Sequence, residues 1–390
     1  MDISNNVWKL YAIRFFHNLI PAYVIERLFW EERGMTIQMV VYTEIIYAVT
    51  IVLLEVPTGI IADKWGRKRM MLVDAFLGCC EFLLLLLATE FWHFALVVIL
   101  AGIGRSASSG AENAMLYDTL KTGGKEQLFE RQMGRLNACD IAAIMLAALS
   151  GSLLASRFGF ELNYWISVGA MLISVIFTML LVEPSAESRE DEKPTPLVSY
   201  ITGSLHFFRR NPGVCLVLLS GMIIGAALSY LYEFWQLYLE RLEIPVMYFG
   251  LFSAAVFVLG LPGNLIAYKL GSLLQIRMLL TAVTAVIAVG FAIASMNPNF
   301  VGLTAILVIC LLAGVIEPLA AGYLHHRIDS PMRATIDSFQ SLGANAVLIL
   351  AGLGFGYFSA QFDIFGGFGF IAAICGVSAV GLYYYGRNLL

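Results

Sequence analysis

The sequence predicts an all-α membrane protein of twelve transmembrane helices in two six-helix halves. Two observations carry this. Of the 390 residues, 59% are hydrophobic and only 13% charged, with mean hydropathy +0.79, whereas soluble globular domains run near a quarter charged. The apolar residues also fall in long runs, and Lys and Arg gather in every second connection between them, as basic residues do on the cytoplasmic side of a membrane.

About 20 mostly apolar residues cross the hydrocarbon core. On that rule spans fall at 8–30, 36–61, 70–89, 92–119, 131–156, 161–183, 213–239, 246–270, 276–296, 299–324, 333–359 and 363–386. The first puts Arg14, His17, Asn18 and Pro21 on one stripe, because i, i+3, i+4 and i+7 share a helix face. The second carries Glu44 and closes on Glu55, Pro57 and Gly59, and the third sets Asp74 and Glu81 seven apart on one face. Arg105, Ser108, Ser109 and Glu112 line up on the fourth, and the fifth brings Asp140 and a small-residue run ending near Gly151. In the seventh, Glu233 is flanked by Tyr230, Tyr232, Trp235 and Gln236; in the tenth, Glu317 precedes Pro318; the eleventh aligns Asp337, Gln340, Ser341 and Asn345. The sixth, eighth, ninth and twelfth rest on length and hydropathy.

Between the sixth and seventh spans lies the longest polar stretch, 184–210. Its charged, proline-containing first part reads as flexible, and 197–210 as an amphipathic helix on the membrane surface. The expected organisation is therefore an N-terminal half at 1–183, a linker at 184–210 and a C-terminal half at 211–390. Connections after even-numbered spans hold cations such as Lys64, Arg67, Lys68, Arg69, Lys121 and Lys125, while those after odd-numbered spans hold only Arg33, Arg157 and Arg241, with Arg27 nearby. Both termini are expected in the cytoplasm, and the protein in the inner membrane.

An ionisable side chain at membrane depth is costly, so each should face the bundle or a wet cavity. Several have plain structural readings. Glu317 caps a proline kink; Asp140 and Glu44 pair with buried cations; His17 is a satisfied hydrogen-bonding histidine. Asp74 and Glu81 line a structural contact or a solvated crevice. Glu112 with Arg105 is the pair for which function is favoured, since two opposite charges on one mid-membrane stripe are costly unless used.

Other classes are excluded on motif grounds. The six cysteines fall inside apolar segments with neither disulfide nor zinc spacing. No metal cluster, nucleophile–base pair or phosphate-binding G-x-x-x-x-G-K-[ST] loop is visible, so the expectation is a non-enzyme without cofactors, not driven directly by ATP. Arg14, His17 and Asn18 interrupt any signal-peptide core, so the first span is expected to stay.

The run Gly59, Asp63, Gly66, Arg67, Lys68 and Arg69 reads as a tight loop whose glycines permit a sharp reversal. It resembles the loop between the second and third helices of major facilitator superfamily transporters, roughly G-x-x-x-D-x-x-G-R-K/R-x. The fourth span, with Arg105 ahead of a small-residue run around Gly110, is similar to that family's fourth-helix motif, and 263–271 looks like a decayed copy of the opening loop. The resemblance implies two halves built from inverted three-helix repeats, with the first, fourth, seventh and tenth helices lining a central cavity. It further implies that Asp63, Arg67 and Asp118 form a conformational latch, joined by the N-terminus of the eleventh helix, and that Arg105 takes part in proton transfer. One departure is the fifth span, Ile144 to Gly151, which lacks the proline and paired glycines of many antiporters.

The function expected is proton-coupled efflux of amphipathic or cationic organic compounds by alternating access. Glu112 and Glu233 are the leading cavity acids, Asp140 and Glu317 stand behind them, and aromatics supply cation–π attraction. The alternatives are proton-linked uptake of a polar or anionic metabolite, held by Arg14, His17 and Arg105, or a non-transporting receptor or lipid-handling protein on the same fold. Expected partners are a small-molecule substrate, protons and the lipid bilayer, with no nucleic acid, and the expected state is a monomer.

Overall fold

The computed structural model describes residues 5–184, 211–273, 275–325 and 333–389, and among them every side chain except those at 56, 63, 261, 264–273, 276, 316–325, 333–339, 388 and 389. The predicted linker, including the amphipathic helix at 197–210, lies outside the described residues from 185 onward. All regular structure among the described residues is helical. The chain forms two compact units, Met1–Glu190 with Ile244–Ala254, and Asp191–Glu243 with Ala255–Leu390.

Up to residue 184 the helices are α1 (Asn6–Asn18), α2 (Glu26–Glu32), α3 (Ile37–Trp65), α4 (Arg67–Leu87), α5 (Phe91–Ser108), α6 (Ala111–Thr122), α7 (Phe129–Phe158) and α8 (Glu161–Met179). Then come α9 (Pro212–Arg241), α10 (Phe249–Leu273), α11 (Ile276–Met296), α12 (Phe300–His325) and α13 (Arg333–Leu389). Among the described residues eight helices are long and apolar enough to cross a membrane, and shorter apolar helices cover Val246–Gly260 and Phe300–Val315. Large apolar side chains face outward, with Leu87, Trp92 and Met296 74–79% exposed. Water would not leave them so, but lipid does.

The expected series of spans differs from this at two places, each with a local cause. The first span is broken. Ile20, before Pro21, takes the extended backbone (φ −115°, ψ 90°) that a following proline imposes, so α1 ends at Asn18 and α2 starts at Glu26. The fourth is broken too: Ser109 leaves helical geometry (φ −55°, ψ 117°) and Gly110 is left-handed (φ 75°), which separates α5 from α6. The last two expected spans, 333–359 and 363–386, are the two arms of α13. Its 57 residues would reach about 85 Å if straight, but Phe362 and Asp363 leave helical geometry and divide it into two arms. The arms pack on each other, with Phe358 stacked on Phe370 at 5.4 Å.

In the first unit α1 is tied to the end of α8. The Asn6 side chain donates to the Val182 carbonyl (2.7 Å) and accepts from its N–H (3.0 Å). Lys9 is buried, with Nζ donating to the Leu180 carbonyl at 2.7 Å, where a cation complements a helix C-terminus. The break after α1 is held from two sides: Asn163 Nδ2 donates to the carbonyls of Pro21 (3.1 Å) and Gly151 (2.9 Å).

In the second unit Tyr230, Phe234 and Phe355 stack with centroids 5.0–6.4 Å apart. Arg241 grips the bend of α13, its Nε 2.7 Å from Asp363 Oδ2. That pair holds Asp363 at φ 54°, a conformation disfavoured for a residue with a Cβ.

Candidate functional site

Inside the first unit is a cavity of about 530 Å³ whose wall carries six carboxylates, three arginines and a histidine. Arg14, His17 and Asn18 enter from α1, Glu26 and Arg27 from α2, Glu44 and Tyr47 from α3, and Asp74 and Glu81 from α4. Arg105 enters from α5, Glu112 from α6 and Asp140 from α7. The breaks noted above build this wall. The α1–α2 break turns Glu26 and Arg27 into it, and the α5–α6 break places Glu112 in the first turn of a new helix, where the helix dipole favours an anion.

Arg14 stands between two carboxylates, with Nε 3.2 Å from Glu112 Oε1 and Nη1 3.2 Å from Asp140 Oδ2. It also donates to Asn137 Oδ1 at 3.3 Å. Asn18 completes the group, its Nδ2 donating to Asp140 Oδ1 at 3.1 Å and to the Arg14 carbonyl at 2.9 Å. One guanidinium shared by two acids leaves one negative charge uncompensated within the cluster. Higher on the wall, Arg27 does the same for Glu44 (3.2 Å) and Glu26 (3.8 Å), its guanidinium lying 4.3 Å over the Trp30 ring. His17 Nε2 reaches Asp74 Oδ2 only at 4.0 Å.

These positions correct one expectation. Arg105 and Glu112 were read as partners on one helical stripe, but the break at Ser109–Gly110 resets the helical phase, and Glu112 pairs with Arg14. Among the described residues Arg105 has no carboxylate within ion-pair distance, although it lines the same cavity. Glu44 pairs with the buried Arg27 and Asp140 with the half-buried Arg14, the structural one of the readings open for these acids.

The remaining candidate residues do not join this cavity. Tyr232, Glu233, Trp235 and Gln236 belong to α9 in the second unit, with Gln236 buried and Tyr232 exposed. Glu317 falls on α12, and its side chain lies outside those described. The wall also contains acids not proposed for the site from sequence, namely Glu26, Glu44, Asp74 and Glu81. The seven-residue spacing of Asp74 and Glu81 was the signal available for the last two.

The expected latch is a helical structure with a single-residue turn. Gly59 and Asp63 lie within α3, so Gly59 is not part of a reversal; only Gly66, at φ 94°, separates α3 from α4. The Asp63 side chain is outside those described. Arg67 pairs with the Asp118 carboxylate, and its Nη1 donates to the Ala114 carbonyl at 2.8 Å. A residue unremarked in the sequence completes the turn: the Glu183 carboxylate accepts from the N–H groups of Arg67 and Lys68, each at 2.8 Å, satisfying the open N-terminus of α4. A Cβ on Gly66 would come within 3.1 Å of that carboxylate and would push it slightly aside, but it is the positive φ that favours glycine here.

The profile of the Major Facilitator Superfamily matches residues 11–336. The chain is 25% identical over 143 residues to an uncharacterized transporter of Buchnera aphidicola subsp. Schizaphis graminum, covering 37% of this chain and 35% of that protein. It is 27% identical over 219 residues to multidrug resistance protein MdtG of Citrobacter koseri, covering 55% of this chain and 51% of that protein. The chain thus spans about a third to a half of the length of these relatives. The crystal structure of nucleoside transporter NupG matches at TM-score 0.77 and 14% identity over 100% of both chains, a likeness of fold.

Proposed function

The chain belongs to the Major Facilitator Superfamily, and from that membership we propose that this transporter expels amphipathic or cationic organic compounds in exchange for protons by alternating access. The observation that carries the reading is the charge of the first-unit cavity, where six carboxylates face three arginines and one histidine. Such a cavity attracts cations and repels anions. The name of the MdtG relative, a multidrug resistance protein, points the same way.

In this reading Arg14 is the exchange point. A proton or a substrate cation that takes Glu112 releases Arg14 to Asp140 alone, and its departure lets Arg14 return. Movement of one guanidinium between two acids on different helices couples occupancy to helix position. Arg105, which lines the cavity and among the described residues has no carboxylate within ion-pair distance, keeps nearby acids accessible to deprotonation. Glu233, Tyr232, Trp235, Gln236 and Glu317 are proposed as further contacts for substrate or protons. Gly59, Asp63, Gly66, Arg67, Lys68 and Asp118 are proposed as the latch of one conformational state. The excess of cations in even-numbered connections supports a cytoplasmic position for both ends of this chain; a monomer in a bacterial inner membrane is proposed with it.

In proteoliposomes the protein should accumulate ethidium in the more acidic compartment, and Glu112→Gln should abolish that accumulation. If Glu112→Gln transports with unchanged rate and pH dependence, Glu112 is not the exchange carboxylate. A second reading, proton-linked uptake of an anionic metabolite, is favoured by Arg105 alone. It replaces the first if ethidium does not move while a carboxylate-bearing solute moves with the protons.

A further inference from the structure

Five of the six cavity carboxylates have a basic partner: Glu112 and Asp140 share Arg14, Glu26 and Glu44 share Arg27, and Asp74 approaches His17 at 4.0 Å. Glu81 is the sixth. It lies on α4 seven residues beyond Asp74 and lines the cavity. Among the described residues no donor bonds to it and no cation comes within ion-pair distance. The charged and titratable groups facing it are Asp74 on its own helix, Glu26 and Arg27 on α2, Tyr23 in the turn before α2 and Tyr47 on α3. From α5 the same cavity receives Arg105, while α8 contributes no charge to it. The single nearby arginine is already divided between two other acids.

An ionised carboxylate without a counter-ion is costly at membrane depth. A proton removes that cost, and so does the positive group of a ligand, and either excludes the other. We infer that Glu81 is the contact for the positively charged group of the transported compound, with the rings of Tyr23 and Tyr47 as its aromatic neighbours. This rests on the cation-transport reading and deepens it by naming a residue on α4, away from the Arg14 cluster. The five paired acids must first lose a partner to take a ligand cation, whereas Glu81 need lose none.

The test uses the whole purified chain in lipid nanodiscs and the monovalent cation tetraphenylphosphonium. Wild-type affinity should weaken as pH falls, because protons compete for the carboxylate. Glu81→Gln should weaken binding by roughly tenfold or more and flatten the pH profile, as loss of a charge-assisted contact in a low-dielectric site does. Glu81→Asp should retain the pH dependence. A second measurement needs no variant: dicyclohexylcarbodiimide modification of Glu81 in the wild type, read by peptide mass spectrometry, should slow when tetraphenylphosphonium saturates the protein. Unchanged affinity and pH profile in Glu81→Gln, or modification that proceeds equally with and without the cation, overturns the assignment to Glu81 and leaves the cation reading standing. Wild-type protein that binds no tetraphenylphosphonium at any pH overturns the cation reading and this assignment together.

Discussion

Arg14 serves Glu112 and Asp140 at once, and that sharing governs how the cavity answers mutation. Arg14→Gln leaves two partly buried carboxylates without their cation, a loss that costs about 3 kcal/mol when a buried pair is broken from one side. Its melting temperature should fall accordingly. Adding Glu112→Gln and Asp140→Asn should restore part of the loss, since neutral groups of the same shape need no counter-ion. An Arg14→Gln protein as stable as the parent would mean that these ion pairs contribute nothing to folding. Which residues are polar at mid-span was legible in the sequence. Which of them meet was not, because an ion pair reports three-dimensional proximity and the i+7 rule holds only within one unbroken helix. The stripe from Arg105 to Glu112 was a sound helical inference that a single left-handed glycine cancels.

At the scale of elements, the breaks position the site, and small residues let the helices approach. Gly151 on α7 shows the constraint: a Cβ there would lie 2.6 Å from the Pro21 carbonyl oxygen and 3.0 Å from Val24 Cγ1. Backbone cannot yield as a side-chain end does, so Gly151→Ala should cost about 1–3 kcal/mol by overpacking and should disturb the turn that delivers Glu26 and Arg27. Gly78→Ala is the internal control. Its Cβ would meet only Met171 Cε, the end of a flexible side chain, and its cost should be small. Thermal unfolding of both variants in detergent checks the contrast, and equal melting temperatures would refute it. Span positions were legible because bilayer thickness sets a length that hydropathy reads directly. The breaks were harder to see. Pro21 and Gly110 stood in the sequence, but prolines and glycines also sit inside membrane helices without breaking them, as Pro57 does within α3.

At the scale of the whole molecule, the charged turn between α3 and α4 couples three separate stretches of the first unit: Arg67 to Asp118 on α6, and the N-terminus of α4 to Glu183 beyond α8. If this turn latches one state of the transport cycle, Arg67→Gln should slow ethidium turnover severalfold while substrate affinity stays near the parent value. The charge exchange Arg67→Asp with Asp118→Arg should recover part of the rate. Lost affinity with normal turnover would assign the pair to substrate binding instead. Glu183 gave no sequence signal, since it opens a charged stretch that reads as a linker and gains its partners only when α8 returns beside α4. The sequence by itself determined the membrane setting, the helical class and the family, because composition, span length and short motifs are properties of contiguous residues. The tertiary structure alone decided the cavity's electrostatics. Arg14 meets Glu112 across 98 positions of chain, and among the described residues Glu81, unlike the five other cavity acids, has no basic side chain within ion-pair distance. Both follow from how separate helices pack, which no local pattern records.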